Sequence, residues 1–147
     1  MIKYWWEDFT PGWTYESAAR TLSEEEIVRF AREYDPQVFH TDPEGAKATP
    51  FGGLIASGWQ TCGVMMRLMC DGYLVESACL GSPGLEELRW LKPVRPGDAL
   101  RLRSTVLEQT PSQKHANRGT VKFRWEVLNQ DGEVVCAIVG RQLFRRR

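Results

Sequence analysis

Two side chains that can exchange protons near neutral pH, Asp35 and His40, stand five residues apart in the segment YDPQVFHTDP, residues 34–43. An ordinary imidazole titrates near about 6.5, so His40 can take up or release a proton under physiological conditions. A carboxylate within reach of the same water can accept a hydrogen bond from it or share its proton. Downstream, the segment PFGGLIASGW (50–59) runs into the start of the most apolar helical stretch in the chain. Gly58 there offers a backbone N–H with a helix dipole behind it. A donor aimed in this way at a developing oxyanion contributes about 3 to 4 kcal/mol, and glycine lets a ligand approach the backbone closely. An acid/base pair followed by a helix N-terminus suits chemistry on a carbonyl compound.

Other polar residues of this region have plainer uses. Asp42 beside Pro43 reads as a helix cap. Ser57 reads as the cap of the apolar helix rather than a nucleophile, because no Gly-x-Ser-x-Gly motif surrounds it. Gln37, Phe51, Gly52, Gly53, Ser57 and Trp59 are the candidate substrate contacts. Gly52 and Gly53 are expected to set backbone geometry at the substrate mouth, and Trp59, one residue past Gly58, to line a tunnel leading from it. Met65, Met66 and Met69 at helical spacing read as core. Arg89, Lys92 and Arg95 could meet phosphates, yet a solvated strand end and turn accounts for them as well. His115 lies among Lys114, Asn117 and Arg118 in a polar hairpin and reads as exposed.

The elements that position these groups come from 147 residues, enough for one domain with a real core. Lys+Arg and Asp+Glu number 19 each, a formal balance that argues against a nucleic-acid or anionic-membrane surface. The one dense basic run, Arg145-Arg146-Arg147, reads as a solvated tail. Cys62, Cys70, Cys79 and Cys136 show no CxxC or zinc-like spacing and read as reduced, buried packing residues of a cytoplasmic protein. The opening MIKYWWED has no apolar signal core. The longest apolar helix carries Gln60, Arg67 and Asp71, too polar and short for a membrane span.

Along the chain, Trp13 to Arg20 reads as a strand after the Pro11-Gly12 turn. Thr21 or Ser23 caps a helix whose acidic first turn suits the dipole, and Ile27, Phe30, Ala31 and Tyr34 form its buried face. Pro36 ends it, since the residue before a proline is driven out of the α region. Asp35 and His40 then sit on a proline-interrupted loop, and Thr41 or Asp42 starts a short helix ending before Pro50. A helix from about Gly58 to Leu74 is apolar nearly all round and is expected to be buried nearly all round. Strands follow over Glu86–Leu91, Leu100–Leu107, Gly119–Asn129 and Val134–Phe144, with turn signals between them. One buried helix followed by long antiparallel strands implies an α+β domain, its sheet curled around the helix.

The segments DPQVFHTDP (35–43), FGGLIASG (51–58) and EELRWLKPVRPGD (86–98) together resemble the MaoC-like dehydratases, the (R)-specific enoyl-CoA hydratase group, over nearly the whole chain. The resemblance implies a hot-dog fold: a curled antiparallel sheet wrapped around a long helix, usually paired into a homodimer or assembled into a higher homo-oligomer. It implies reversible hydration of a 2-enoyl-CoA thioester with no metal or organic cofactor. Asp35 and His40 fall on the family's catalytic carboxylate and imidazole, and Gly58 on the glycine whose N–H meets the thioester carbonyl. The chain departs by Gln37 where Asn is commoner and Val38 where Pro is. Met66 aligns with a helix serine that in some hydratases steadies the carboxylate. Those departures keep a non-catalytic acyl-CoA-binding module in play. A thioesterase on the same fold ranks lower, because the Asp-x₄-His loop is the hydratase arrangement.

Overall fold

A computed structural model describes residues 1–147. The chain forms β1 (Thr14–Glu16), β2 (Arg20–Thr21), α1 (Glu24–Tyr34), α2 (Val38–Thr41), α3 (Pro43–Ala46) and α4 (Gly58–Met69). Four long strands follow: β3 (Cys79–Trp90), β4 (Ala99–Pro111), β5 (Arg118–Leu128) and β6 (Val134–Arg145). The strand expected over 13–20 is therefore two pieces. Between them Ser17 turns its hydroxyl to accept from the Leu102 N–H at 2.8 Å.

Local chemistry sets the helix limits near the site. Ser23 caps α1 by accepting from the Glu26 N–H at 3.1 Å, and three glutamates occupy the first turn. The helix stops at Tyr34, and Asp35 leaves the α region, at φ −153° and ψ 69°, ahead of Pro36. Ile27 and Ala31 are buried, but Tyr34 is 68% exposed, so the expected buried face ends one turn early. The proline-interrupted stretch is more ordered than expected: Val38–Thr41 forms a helical turn, α2, that carries His40. Asp42 then caps α3, accepting from the Glu44 N–H at 3.2 Å.

Helix α4 runs on through a π turn at Cys70–Leu74, completing the helical stretch read from the sequence. At about 1.5 Å per residue it is about 25 Å long. Val64, Met65, Leu68, Met69 and Tyr73 are buried, whereas Trp59 is 61% and Met66 44% exposed. The expectation of burial all round thus fails. The sheet covers one side of the helix, and the apolar flank bearing Trp59 and Met66 stays open.

The sheet is antiparallel in the order β1-β4-β5-β6-β3, with β2 also pairing β4. Alternation in β5 places Val121, Phe123, Trp125 and Val127 in the core. There Phe123 meets Phe9, Tyr73, Trp125 and Phe144 in one aromatic cluster. This is the curled sheet around a helix expected from the pattern, and the hot-dog arrangement that the family resemblance implies. Strand β3 is an edge, bonded only to β6, and residues 80–87 along it are exposed.

The C-terminal arginines do not form a free tail. Arg146 lies 3.5 Å from Glu7, Arg147 2.8 Å from Asp8, and the guanidinium groups of Arg145 and Arg146 stack over Trp5 and Trp6. Of the four free cysteines only Cys136 is fully buried, and the others are half-buried. No helix is long and apolar enough to cross a membrane.

Candidate active site

The site forms where α1 ends, α2 turns and α4 begins. The break before Pro36 delivers Asp35, and α2 delivers His40 almost fully buried. Nε2 of His40 lies 3.3 Å from Oδ2 of Asp35. Its Nδ1 lies 2.7 Å from the Ile55 carbonyl. A carbonyl only accepts, so Nδ1 carries the proton and the neutral ring presents its Nε2 lone pair toward Asp35. Two acceptors facing one another at this separation call for a shared donor, which a single water supplies, or for a proton on the imidazole.

Asp35 is held from both sides. Gln37 donates its amide to Oδ1 at 2.7 Å, and the Ser57 hydroxyl donates to Oδ2 at 2.8 Å. Burial pushes the Asp35 carboxyl up, but these two hydrogen bonds, joined by the charge His40 carries when protonated, outweigh it and hold the group below the ordinary carboxylate range. Asp35 is therefore ionised at neutral pH.

Both groups open onto a cavity of about 460 Å³ that also takes in Gln37, Phe39, Phe51, Gly58, Trp59, Thr61 and Trp90. The Gly58 and Trp59 N–H groups at the start of α4 have no acceptor within the chain, while those of Gln60 and Thr61 both donate to the Ser57 carbonyl. Two unclaimed donors at a helix N-terminus beside an ionised carboxylate and an imidazole can stabilise an oxyanion while the pair handles a water. No three His, Cys, Asp or Glu side chains gather as a metal site.

The structure brings Asp35, Gln37, His40, Phe51, Gly58 and Trp59 to this cavity and leaves three candidates outside its wall. Ser57 is fully buried and its side chain does not cap α4, because its hydroxyl is spent on Asp35. Gly52 and Gly53 do not line the cavity. Arg95 instead ties their loop down, donating to the Phe51 carbonyl at 2.5 Å and the Gly53 carbonyl at 3.3 Å. Arg95 is thus a loop clamp, while Arg89 and Lys92 are paired with Glu87 and Glu133. With Met66 rather than a serine on α4, Asp35 is still supported, by Ser57 and Gln37.

Sequence reasoning missed Trp90 and Thr61 in the wall. Trp90 ends strand β3, whose residues are exposed nearly throughout, and carries no local signal of its target. Its indole N–H donates to the Gly58 carbonyl at 3.0 Å, and its ring stands edge-on to Trp59 at 5.2 Å. A Cβ at position 58 would fall 2.4 Å from this ring, so packing against Trp90 requires glycine there.

Known proteins share this architecture. Residues 8–127 match the family described as MaoC like domain. The chain is 37% identical over 127 residues to the 3-hydroxyacyl-thioester dehydratase Z of Mycobacterium tuberculosis, covering 85% of this chain and 82% of that protein. The crystal structure of the MaoC-like dehydratase from Rhodospirillum rubrum superposes with a TM-score of 0.92 at 40% identity, covering 99% of each chain. An R-hydratase from Pseudomonas aeruginosa, at 23% identity over 97% of this chain and 90% of that one, has a TM-score of 0.74 and shares the fold.

Proposed function

Because the chain belongs to the MaoC like domain family, we propose that it reversibly hydrates a 2-enoyl-CoA thioester to a 3-hydroxyacyl-CoA. The observation that carries the reading is the Asp35–His40 pair, at 3.3 Å, sharing one cavity with the unclaimed N–H groups of the α4 start. The name of the 37% identical relative, a 3-hydroxyacyl-thioester dehydratase, supports the same chemistry.

A water donates one hydrogen to His40 Nε2 and the other to Asp35 Oδ2. As its oxygen bonds to Cβ of the enoyl group, Nε2 takes its proton, and the double-bond electrons pass through Cα to the thioester oxygen. The Gly58 N–H stabilises that enolate oxygen. Asp35, kept ionised by Gln37 and Ser57, orients the water and stabilises the imidazolium that forms. The imidazolium returns its proton to Cα as the enolate collapses, leaving the pair unchanged. Dehydration runs the same steps backwards. No cofactor enters, and coenzyme A arrives as part of the substrate.

The binding-module alternative draws on Gln37 and Met66. The carboxylate support that those departures put in question is supplied by Gln37 itself and by Ser57, which favours the enzyme.

A homodimer accompanies this reading. Strand β3 leaves a long edge unpaired, and Leu80, Leu85, Trp90 and Leu91 are exposed along and just beyond it, with Trp59 and Met66 exposed on α4. A second copy pairing along this edge removes the unpaired N–H and C=O groups and the apolar surface together.

The test of the reaction is a product screen: purified protein incubated with 2-enoyl-CoA thioesters of increasing chain length, with 3-hydroxyacyl-CoA identified by mass. Release of free thiol without hydration would instead mark a thioesterase, and tight binding without any product a binding module.

A further inference from the structure

Trp90 joins the sheet edge to the first turn of α4. Its own backbone is firmly mounted: it lies opposite Cys136 in β6, and the next N–H groups, of Leu91 and Lys92, both donate to the Val135 carbonyl, at 2.8 and 3.3 Å. From this mount the indole N–H reaches the Gly58 carbonyl at 3.0 Å. The ring occupies the space beside the Gly58 Cα, where a Cβ would meet Cε2 at 2.4 Å, Nε1 at 2.6 Å and Cδ2 at 2.8 Å.

The Gly58 carbonyl belongs to the same peptide group as the Trp59 N–H, and the Gly58 N–H leaves the same residue on its other side. Holding that oxygen fixes the plane of the peptide and limits rotation about the Gly58 Cα, the most permissive backbone position in the turn. It also polarises the Trp59 N–H, since a hydrogen bond accepted at one end of a peptide strengthens donation at the other. An oxyanion donor is effective only when its direction is fixed before the charge develops.

We propose that Trp90 is the positioning residue of the oxyanion donor: it holds the Gly58 carbonyl and packs the Gly58 Cα, so that the Gly58 and Trp59 N–H groups stay aimed at the thioester carbonyl. The inference rests on the hydratase reading above. It concerns the carbonyl end of the substrate and leaves the Asp35–His40 water untouched.

Trp90→Phe keeps an aromatic ring but removes the N–H together with the part of the indole that packs on Gly58. Replacing Trp90 with benzothienylalanine, which keeps the bicyclic shape without the N–H, separates this role from packing. In both, kcat for crotonyl-CoA is expected to fall about tenfold, the scale of one hydrogen bond, with KM within about twofold. Butyryl-CoA, a saturated thioester that cannot be hydrated, reports the donor directly through the isotope-edited infrared stretch of its bound carbonyl. The native protein lowers that frequency relative to free butyryl-CoA, and both replacements return it part of the way. Native kcat with an unchanged carbonyl shift in the benzothienylalanine protein would overturn the role of Trp90 while leaving the hydratase reading intact. A native protein that hydrates crotonyl-CoA yet leaves the butyryl-CoA carbonyl unshifted would remove the oxyanion donor, and this proposal with it. Failure of the native protein to hydrate any enoyl-CoA would strike the parent reading instead.

Discussion

Ser57 donates its hydroxyl to Oδ2 of Asp35 at 2.8 Å, and through that bond ties the first turn of α4 to the end of α1. The serine is fully buried and leaves the helix uncapped by its side chain in order to do so. An N-cap hydrogen bond is worth about 1 kcal/mol, and here it is exchanged for a charge-assisted bond to the Asp35 carboxylate, a class worth roughly 1.5–3 kcal/mol.

Ser57→Ala should therefore act on the pH profile as well as the rate. The serine is one of the donors holding the Asp35 carboxyl low, so removing it raises that pKa toward the burial-dominated value. The acid limb of kcat/KM moves to higher pH, and kcat near neutrality falls by about tenfold or more, on the scale of a hydrogen bond to a charged group. A pH series of initial rates checks this. An acid limb that stays in place would show that Gln37 holds the carboxylate alone.

Tyr73 offers a stability prediction away from the site. Its hydroxyl donates to Ser104 Oγ at 3.1 Å and accepts from the Trp125 indole at 3.2 Å, all within the core. Tyr73→Phe leaves the Trp125 N–H buried without an acceptor and should cost about 1–3 kcal/mol in denaturant unfolding at neutral pH. Burial pushes the Tyr73 hydroxyl up to about 12, the Ser104 and Trp125 bonds offsetting only part of the rise. A raised folded-state pKa gives a contribution that is complete below the unfolded value of about 10 and lost as pH climbs through the folded one. The native protein should accordingly lose stability more steeply than Tyr73→Phe between about pH 10 and about pH 12.

The edge strand sets a prediction for assembly. Leu80→Lys combined with Leu85→Lys places two charges on exposed positions of β3, the device by which sheet edges are kept from pairing. Light scattering after size exclusion should give a dimer for the native chain and a monomer for the variant. A native chain that runs as a monomer at micromolar concentration would contradict the edge-pairing account.

Much of the fold was legible because periodicity reports it directly. Val121, Phe123, Trp125 and Val127 alternate in the sequence and are buried in the structure, and the helical stretch 58–74 keeps its limits. Asp35 and His40 were legible because their chemistry and their proline-broken spacing are local. What stayed hidden depends on contacts between distant segments. The hydroxyl of Ser57 has an equally good local use as a cap, so its bond to Asp35 cannot be read from spacing. The demand for glycine at 58 comes partly from Trp90, which lies in another element. Apolarity of α4 says that it packs, but which flank the sheet leaves open, with Trp59 and Met66 exposed, is decided by the curl of the sheet. The arginines at the C-terminus read as solvated because Glu7, Asp8, Trp5 and Trp6, their partners, lie at the other end of the chain.

The central claim is that Asp35 and His40 activate a water for addition to an enoyl thioester. Following the loss of the conjugated-thioester absorbance of crotonyl-CoA tests it most directly, in the native protein and in Asp35→Asn and His40→Ala. The native protein should consume the enoyl thioester, and each variant should be slower by at least about a hundredfold, the usual contribution of a positioned acid/base group. Native turnover in either variant would contradict the assignment.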